Sequence, residues 1–295
     1  MNISISIPAL TDSANIFNFR KESLWALKSM QNMGHSIQID STSLNEEQLL
    51  LLDQEGIHLN AIETPDLIIH EEGSVLNVRN AEQTTLTEGD SWSKIVRFIQ
   101  FPPRISTINR NTNETKISIE LNLDGTGKSR ISTGLNFFDH MLEQIARHGL
   151  IDLDITCKGD LEIDEHHTIE DVAIALGSAL TEAIGDKKGI DRYGFVLAMD
   201  EAKATVAIDL SGRPYLVFDG TFNREYVGDM PTEMVKHFFY SLAMNLKATL
   251  NISFEGENDH HKIEACFKGL ARALKSAIEQ NPRILTQVPS SKGLL

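Results

Sequence analysis

The sequence predicts an α+β protein made of two tandem, pseudo-symmetric sheet-plus-helix repeats, preceded by a smaller α/β domain. The repeats are indicated by residues 166–184 and 260–278, which align without a gap and match at nine of nineteen positions. In each half, an alternating segment, 116–123 or 204–210, comes before a helix that carries a histidine and then one of the matching helices. Alternation with a period of two is typical of a half-buried strand.

A proline pair sets the predicted boundary between the two parts. Pro102 and Pro103 follow an amphipathic segment at 92–99, and adjacent prolines interrupt regular structure. We therefore expect a first domain at 1–100 and a second domain at 104–295, divided into repeats at about 104–190 and 191–295.

The first hundred residues predict strands and helices in the order βαβα. Alternating Ile and Ser predict an opening strand, Gly34 ends the first long helix, and Ser43 and Glu46 form a capping pair ahead of the next helix. The predicted strands are 3–7, 36–39 and 66–70, and the predicted helices are 22–33, 45–55 and 91–99. This order fits a small α/β domain.

The second part opens with two predicted strands, 117–123 and 130–133, on either side of a polar glycine turn. The turn contains Gly-Lys-Ser at 127–129, which resembles the end of a phosphate-binding loop. Asn122 stands where that motif needs its first glycine, and no convincing helix follows. We therefore interpret the turn as structural.

Charge and composition exclude several classes of protein. The chain of 295 residues has a formal net charge of −15, which disfavours nonspecific nucleic-acid binding. Cys157 and Cys266 are too few and too isolated for a disulfide framework or a thiolate site, which fits a reducing compartment. No stretch reaches about 18 apolar residues, and no basic and apolar leader opens the chain. We expect a cytoplasmic protein that binds neither nucleic acid nor membrane.

Each of the two matching helices begins with a His-His-x-x-Glu motif. Positions i and i+4 share a helix face, so His166 can bind one cation together with Glu170, and His260 with Glu264. The second histidine of each motif lies about 100° round the helix and must serve another site. A single motif of this kind is commonly a capped or solvated helix start. Its recurrence favours metal binding.

Two further histidines enlarge the predicted ligand set. His140 lies 26 residues before His166, and His237 lies 23 residues before His260. Six imidazoles and two carboxylates suffice for two sites of three imidazoles and one carboxylate each. A set without thiolate points to Mn, Fe, Co or Zn, and octahedral sites would favour Mn. The predicted metal ligands are His140, His166, His167, Glu170, His237, His260, His261 and Glu264.

Eight motifs, in chain order, resemble those of imidazoleglycerol-phosphate dehydratase. Among them are Arg-Asn-Thr-Asn-Glu-Thr at 110–115, Phe-Asp-His-Met-Leu at 138–142, Asp-Glu-His-His-Thr-Ile-Glu-Asp at 164–171 and Pro-Ser-Ser-Lys-Gly at 289–293. The resemblance covers roughly 104–295. It implies the dehydration of D-erythro-imidazole glycerol phosphate to imidazole acetol phosphate in histidine biosynthesis, with two Mn²⁺ in each active centre.

The chemistry of this reaction agrees with a site for two metals. The proton is lost from an sp³ carbon that has no carbonyl beside it. Two metals that hold both ring nitrogens would make the imidazole an imidazolate, whose electrons can expel the neighbouring hydroxyl. Loss of the next carbon's proton then gives an enol, which becomes the ketone.

The resemblance also implies roles for individual side chains. It makes Glu114 the base or proton shuttle and places Gln144 near the substrate. It assigns the substrate phosphate to Arg192, Arg213, Lys268, Ser290 and Lys292. Without the resemblance, Glu114 would be interpreted as a solvated strand residue, and Ser290 and Lys292 as part of a mobile tail. The family also forms octahedral homo-oligomers whose metal sites lie between subunits.

Some relatives carry a histidinol phosphatase of the haloacid-dehalogenase type ahead of the dehydratase, and residues 1–100 resemble its remnant. No Asp-x-Asp-Gly occurs before residue 100, and Pro-Ala-Leu at 8–10 stands where the nucleophile is expected. We therefore expect a degenerate, noncatalytic domain. Two alternatives stay open for the whole chain: a noncatalytic metal-binding assembly, and phosphatase activity in the first hundred residues.

Overall fold

The computed structural model describes residues 1–12, 15–39 and 43–295. Its chain divides into two compact units, which we call unit 1 (Met1–Pro102) and unit 2 (Pro103–Leu295). Each unit has its own buried apolar core. None of the described helices is long and apolar enough to cross a membrane.

Unit 1 is a mixed sheet with helices. Its elements are β1 (Asn2–Ile5), α1 (Ile7–Leu10), β2 (Thr11–Asp12), β3 (Asn15–Phe19), α2 (Ser23–Asn32), β4 (Ser36–Ile39), α3 (Glu46–Gln54), β5 (Leu67–Glu72), β6 (Val75–Asn80), β7 (Thr85–Gly89) and α4 (Trp92–Gln100). The five-stranded sheet has the order β4-β1-β5-β6-β7. Strands β4, β1 and β5 are parallel, whereas β6 and β7 add an antiparallel extension. Alternation in β1 buries Ile3 and Ile5 in the core.

The sequence prediction for unit 1 is confirmed in most elements. The strand at 36–39 is confirmed at both ends, and the helices predicted at 22–33, 45–55 and 91–99 each agree within one residue. The hairpin of β6 and β7 was not predicted. Gly73, with a φ of 68°, turns the chain from β5 into β6, so it signals the β5–β6 hairpin, whereas the turn between β6 and β7 contains no glycine.

Two local predictions in unit 1 are wrong. The opening strand ends at Ile5 rather than at residue 7, because α1 begins at Ile7 with Pro8 in its first turn, where proline suits a helix. The cap of α3 is Asn45 with Gln48, not Ser43 with Glu46. The Asn45 side chain accepts from the Gln48 amide at 2.8 Å, and the Gln48 side chain accepts from the Asn45 amide at 3.0 Å. Asn45 takes this role because it directly precedes the first helical residue.

Unit 2 consists of two repeats with the same topology. Its elements are β8 (Ile105–Asn111), β9 (Thr115–Asn122), β10 (Ser129–Ser132), α5 (Asn136–Gly149), β11 (Asp152–Gly159), α6 (His166–Ile184), β12 (Tyr193–Met199), β13 (Ala202–Asp209), β14 (Tyr215–Asp219), β15 (Tyr226–Val227), β16 (Met230–Pro231), α7 (Thr232–Leu246), β17 (Thr249–Glu255) and α8 (Asp259–Ile278). One sheet has the order β10-β11-β9-β8, and the other, read in the matching direction, has the order β14-β17-β13-β12. In both, the first pair is parallel and the others are antiparallel. The predicted pair of α+β repeats is confirmed.

The helices of unit 2 pack in pairs that combine the repeats. Helix α5 of the first repeat packs against α8 of the second, and α6 of the first packs against α7 of the second. Close packing of α6 on α7 depends on Gly177, since a Cβ there would lie 2.9 Å from the carbonyl oxygen of Leu242. A side chain at this position would have to push the helices apart. The crossed pairing determines which histidines can meet.

Candidate active site

Both His-His-x-x-Glu motifs begin in the first turn of a helix, where an upstream side chain accepts from the amide of the first histidine. The Asp164 side chain accepts from the His166 amide at 2.9 Å, and the Asn258 side chain accepts from the His260 amide at 2.9 Å. The acceptor stands two positions before the first histidine in both repeats, as the N-cap of α8 (Asn258) and as the residue ahead of the N-cap of α6 (Asp164). Each acceptor satisfies an amide that a helix start leaves unpaired.

The first cluster, which we call the His166 group, consists of His166, Glu170 and His237. The Nε2 atoms of His166 and His237 each lie 3.2 Å from Glu170 Oε2. The two imidazole centroids are 4.7 Å apart. His237 belongs to α7, which packs on α6, so this group combines a motif of the first repeat with a histidine of the second.

The second cluster, the His260 group, consists of His140, His260 and Glu264. Glu264 Oε2 lies 3.3 Å from His260 Nε2, and Glu264 Oε1 lies 3.9 Å from His140 Nε2. Lys268 Nζ lies 2.7 Å from Glu264 Oε1. Burial opposes ionisation of this carboxyl, but the hydrogen bond and the charge of Lys268 lower the Glu264 pKa. The group mirrors the first one, with a motif of the second repeat and a histidine of the first.

Both groups fit a divalent cation. Within each, the nitrogen and oxygen atoms all lie within 4.8 Å of one another. Neighbouring ligands about 2.1 Å from one cation and at right angles would be about 3 Å apart. Within the described part of the chain, the buried Nε2 atom of His237 has only its ion-pair contact with Glu170 and makes no hydrogen bond, as expected of a coordinating nitrogen. Cys157 and Cys266 are buried elsewhere in the core, where burial raises the pKa of both thiols.

The second histidine of each motif lies outside both groups. His167 Nδ1 lies 3.1 Å from Asp160 Oδ2, and His261 Nδ1 lies 2.8 Å from Glu201 Oε2. These hydrogen bonds raise the pKa of both histidines. The contact with His261 also lowers the pKa of Glu201 to about 2. The chain thus assembles three of the four predicted ligands at each site and directs the fourth elsewhere.

The predicted catalytic residues lie near different histidines. Gln144 is buried, and its Nε2 lies 3.4 Å from His140 Nδ1, beside the His260 group. Glu114 is exposed in the turn between β8 and β9, and its charge contributes to raising the pKa of His167. Glu114 therefore acts on His167, the second histidine of the first motif, which lies outside both clusters.

The turn that carries Glu114 is held by Asp171, a residue that the sequence reasoning missed. Asp171 accepts from Arg110 Nη2 at 2.7 Å and from Thr115 Oγ1 at 2.5 Å. The Glu114 amide donates to Thr112 Oγ1 at 3.1 Å. A carboxylate on the buried face of an otherwise apolar helix is the signal that could have identified Asp171, since buried charges in proteins are paired.

Four of the five predicted phosphate ligands line one groove: Arg192, Arg213, Ser290 and Lys292. Within the described residues neither Arg213 nor Lys292 forms an ion pair, so both charges are available to an anion. Arg192 is buried and engaged, since it donates to Asp209 at 2.6 and 3.1 Å and to the Pro289 carbonyl at 3.1 Å. Lys268 instead contacts Glu264 in the His260 group.

Comparison with known proteins identifies relatives of this chain. The sequence model of the imidazoleglycerol-phosphate dehydratase family matches residues 133–274. Crystal structures of imidazoleglycerol-phosphate dehydratase from Staphylococcus aureus and Pyrococcus furiosus are 38% and 36% identical, with TM-scores of 0.55 and 0.56. The matches cover 60% and 64% of this chain, and 99% and 100% of the respective structures.

Longer relatives also match the chain. The "Histidine biosynthesis bifunctional protein HisB" of Stenotrophomonas maltophilia is 55% identical over 222 residues, and that of Spirosoma linguale is 49% identical over 255 residues. The matches cover 75% and 86% of this chain, but the chain spans only 61% and 64% of those relatives. Both matches exceed the length of unit 2, so both include part of unit 1.

Proposed function

Because this chain belongs to the imidazoleglycerol-phosphate dehydratase family, we propose that unit 2 dehydrates D-erythro-imidazole glycerol phosphate to imidazole acetol phosphate, a hydro-lyase reaction of histidine biosynthesis. The observation that carries the proposal is the pair of mirrored clusters, each with two imidazoles and one carboxylate. The two clusters would each hold one cation, and two cations would suit a substrate that has two ring nitrogens. The alternative of a noncatalytic metal-binding assembly does not require the groove that contains Arg213 and Lys292.

The proposed cofactor is two Mn²⁺ per active centre, held by the His166 group and the His260 group. When bound, the cations supply stabilisation of negative charge on the substrate's imidazole ring. We further propose that His167 and His261 complete the metal sites of neighbouring copies in a large homo-oligomer. This is supported by their position outside both groups of their own chain, with Nδ1 already held by a carboxylate and Nε2 left for a ligand.

The chain's own residues then carry the proton transfers. Glu114 is proposed to shuttle one proton: its carboxyl gives a proton to the departing hydroxyl, which leaves as water, and the resulting carboxylate then accepts the proton of the next substrate carbon. The network of Asp171 with Arg110 and Thr115 keeps the turn of Glu114 in place. Gln144, beside His140, offers an amide to the bound substrate. General acid–base catalysis of this kind contributes about 10²- to 10⁴-fold to a rate.

The phosphate is proposed to bind in the groove near the end of the chain. Arg213 and Lys292 supply charge, and Ser290 supplies a hydroxyl. Arg192, which donates to the Pro289 carbonyl, orders the segment that carries Ser290. Lys268 is proposed to bind the substrate while it stays paired with Glu264, because its Nζ lies 2.7 Å from Glu264 Oε1.

One assay tests the proposed activity directly. Purified protein should release imidazole acetol phosphate from imidazole glycerol phosphate in the presence of Mn²⁺, followed by the absorbance of the product enol in alkali. Inactivity of a folded protein that contains its metal would overturn the dehydratase proposal and favour the noncatalytic assembly.

The Arg213→Ala variant tests the phosphate groove. It is expected to raise KM about 10- to 100-fold with a smaller change in kcat, because a charge-assisted hydrogen bond to a bound anion is lost. Arg130→Ala is the matched control, since Arg130 is exposed on β10 and does not line the groove. An unchanged KM in the Arg213 variant would remove this residue from the phosphate site.

We also propose that unit 1 is a degenerate, noncatalytic relative of a histidinol phosphatase domain. The support is its parallel strands together with the sequence after β1, which continues as Ser6 and then α1 without an Asp-x-Asp-Gly. The full chain is expected to release no phosphate from histidinol phosphate with Mg²⁺, because the aspartate nucleophile of that chemistry is missing. Phosphate release would show that the degenerate assignment is wrong.

A chain that begins at Pro103 completes this test. It is expected to retain the dehydratase activity, because every residue proposed for that reaction lies in unit 2, which has its own core. If the shortened protein folds and binds Mn²⁺ but is inactive, unit 1 has a role in the reaction.

A further inference from the structure

Two carboxylates outside the predicted ligand set hold His167 and His261, the second histidines of the two motifs. Asp160 follows β11 and lies 3.2 and 3.1 Å, through its two oxygens, from His167 Nδ1. Glu201 lies in the turn between β12 and β13, with Oε2 2.8 Å from His261 Nδ1. The two repeats thus achieve the same contact with carboxylates from different elements.

These contacts determine which ring nitrogen can bind a cation. An ionised carboxylate only accepts hydrogen bonds, so a neutral imidazole beside it carries its hydrogen on Nδ1. The lone pair is then on Nε2. Histidines that bind metal commonly have such an acceptor on their other nitrogen, where it fixes both the tautomer and the ring orientation.

The repeats show that the contact is not simply inherited with the fold. Glu201 directly precedes β13, and Glu114 directly precedes β9, which is the matching strand of the first repeat. Glu201 holds His261, yet Glu114 makes no side-chain hydrogen bond within the described part of the chain. In the first repeat, Asp160 holds the histidine instead. Different residues converge on one geometry, which indicates a functional requirement for it.

We propose that Asp160 and Glu201 are positioning residues that hold His167 and His261 with Nε2 available to a divalent cation. The inference rests on the proposed function, because it requires these histidines to bind metal. Neither carboxylate touches the cation or the substrate. Each acts through its histidine, and their removal should weaken metal binding before it affects the fold.

The test is a Mn²⁺ titration of the full-length protein, with free Mn²⁺ measured by electron paramagnetic resonance. Asp160→Ala and Glu201→Ala are each expected to weaken one class of sites about 10- to 100-fold. Asp160→Asn and Glu201→Gln keep an acceptor oxygen and should lose less. The controls are Glu162→Ala, which removes an exposed carboxylate from the loop of Asp160, and Glu257→Ala, which removes one from the loop before α8, and both should bind Mn²⁺ as the unchanged protein does.

The outcomes separate this inference from the proposed function. If the unchanged protein binds no Mn²⁺, the proposed function fails before any variant is compared. If it binds Mn²⁺ and the two alanine variants bind equally well, the positioning role is overturned. An equal loss of Mn²⁺ affinity in the two control variants would also overturn the positioning role, because the loss would then follow from the removal of any nearby negative charge. Melting temperatures of the metal-free proteins should be the same throughout, and a large decrease confined to Asp160→Ala and Glu201→Ala would assign these residues to the fold instead.

Discussion

Removal of divalent metal is expected to abolish dehydration of imidazole glycerol phosphate completely, and added Mn²⁺ is expected to restore it. The carboxylates of Glu170 and Glu264 each face two imidazole nitrogens, and the proposed reaction depends on cations held by these clusters to stabilise charge on the substrate ring. Ligand binding by imidazole and carboxylate is reversible, so a strong chelator followed by gel filtration should suffice. The measurement is initial rate against metal content determined by mass spectrometry.

Two controls make the metal result specific. The same chelator saturated with Mn²⁺ beforehand should leave the activity unchanged. The size of the assembly should fall together with the metal content, if His167 and His261 link neighbouring copies through the cations. Full activity in a sample shown to be free of metal would sink the two-cation proposal.

The Glu114→Gln variant is expected to lower kcat by a factor of about 10² or more while it keeps metal and substrate binding. The amide has nearly the shape of the carboxylate but cannot accept a proton. The turn itself should persist, because Asp171 holds it through Arg110 and Thr115 rather than through the Glu114 side chain. The measurement is kcat and KM at saturating Mn²⁺, with metal content determined on the same sample.

Glu120→Gln is the matched control for this experiment. Glu120 is an exposed carboxylate on β9, the strand that Glu114 precedes, and its replacement should leave kcat within about twofold of the original. Near-normal turnover in the Glu114 variant would exclude this residue as the base. A loss of bound Mn²⁺ would instead give it a structural role at the metal site.

Local patterns predicted the repeat architecture well. The boundaries predicted for α6 hold at both ends, and those of α8 differ by one residue at the start, because each helix has a long apolar stripe and a capping residue close to its first histidine. Such signals lie within one or two turns of chain and do not depend on distant contacts. The hairpin of β6 and β7 was missed because a short polar run separates its strands.

The sequence by itself determined which residues share a helix face: His166 with Glu170, and His260 with Glu264. Spacing of four along a helix is enough for that. The sequence did not determine which further histidine joins each His–Glu pair. Only the packing of α5 on α8 and of α6 on α7 assigns the remaining histidines to the motif of the opposite repeat.

Contacts made by single polar side chains were also decided by the tertiary structure. No sequence spacing indicates that Asp160 and Glu201 hold histidines. Arg192 donates to Asp209 on β13 and to the Pro289 carbonyl because the C-terminal segment packs beside that sheet. A helix or strand is selected by energies that repeat along the chain. The partner of one carboxylate or guanidinium depends on which distant segments are brought within about 3 Å of it, and that distance is set only when the whole core has packed.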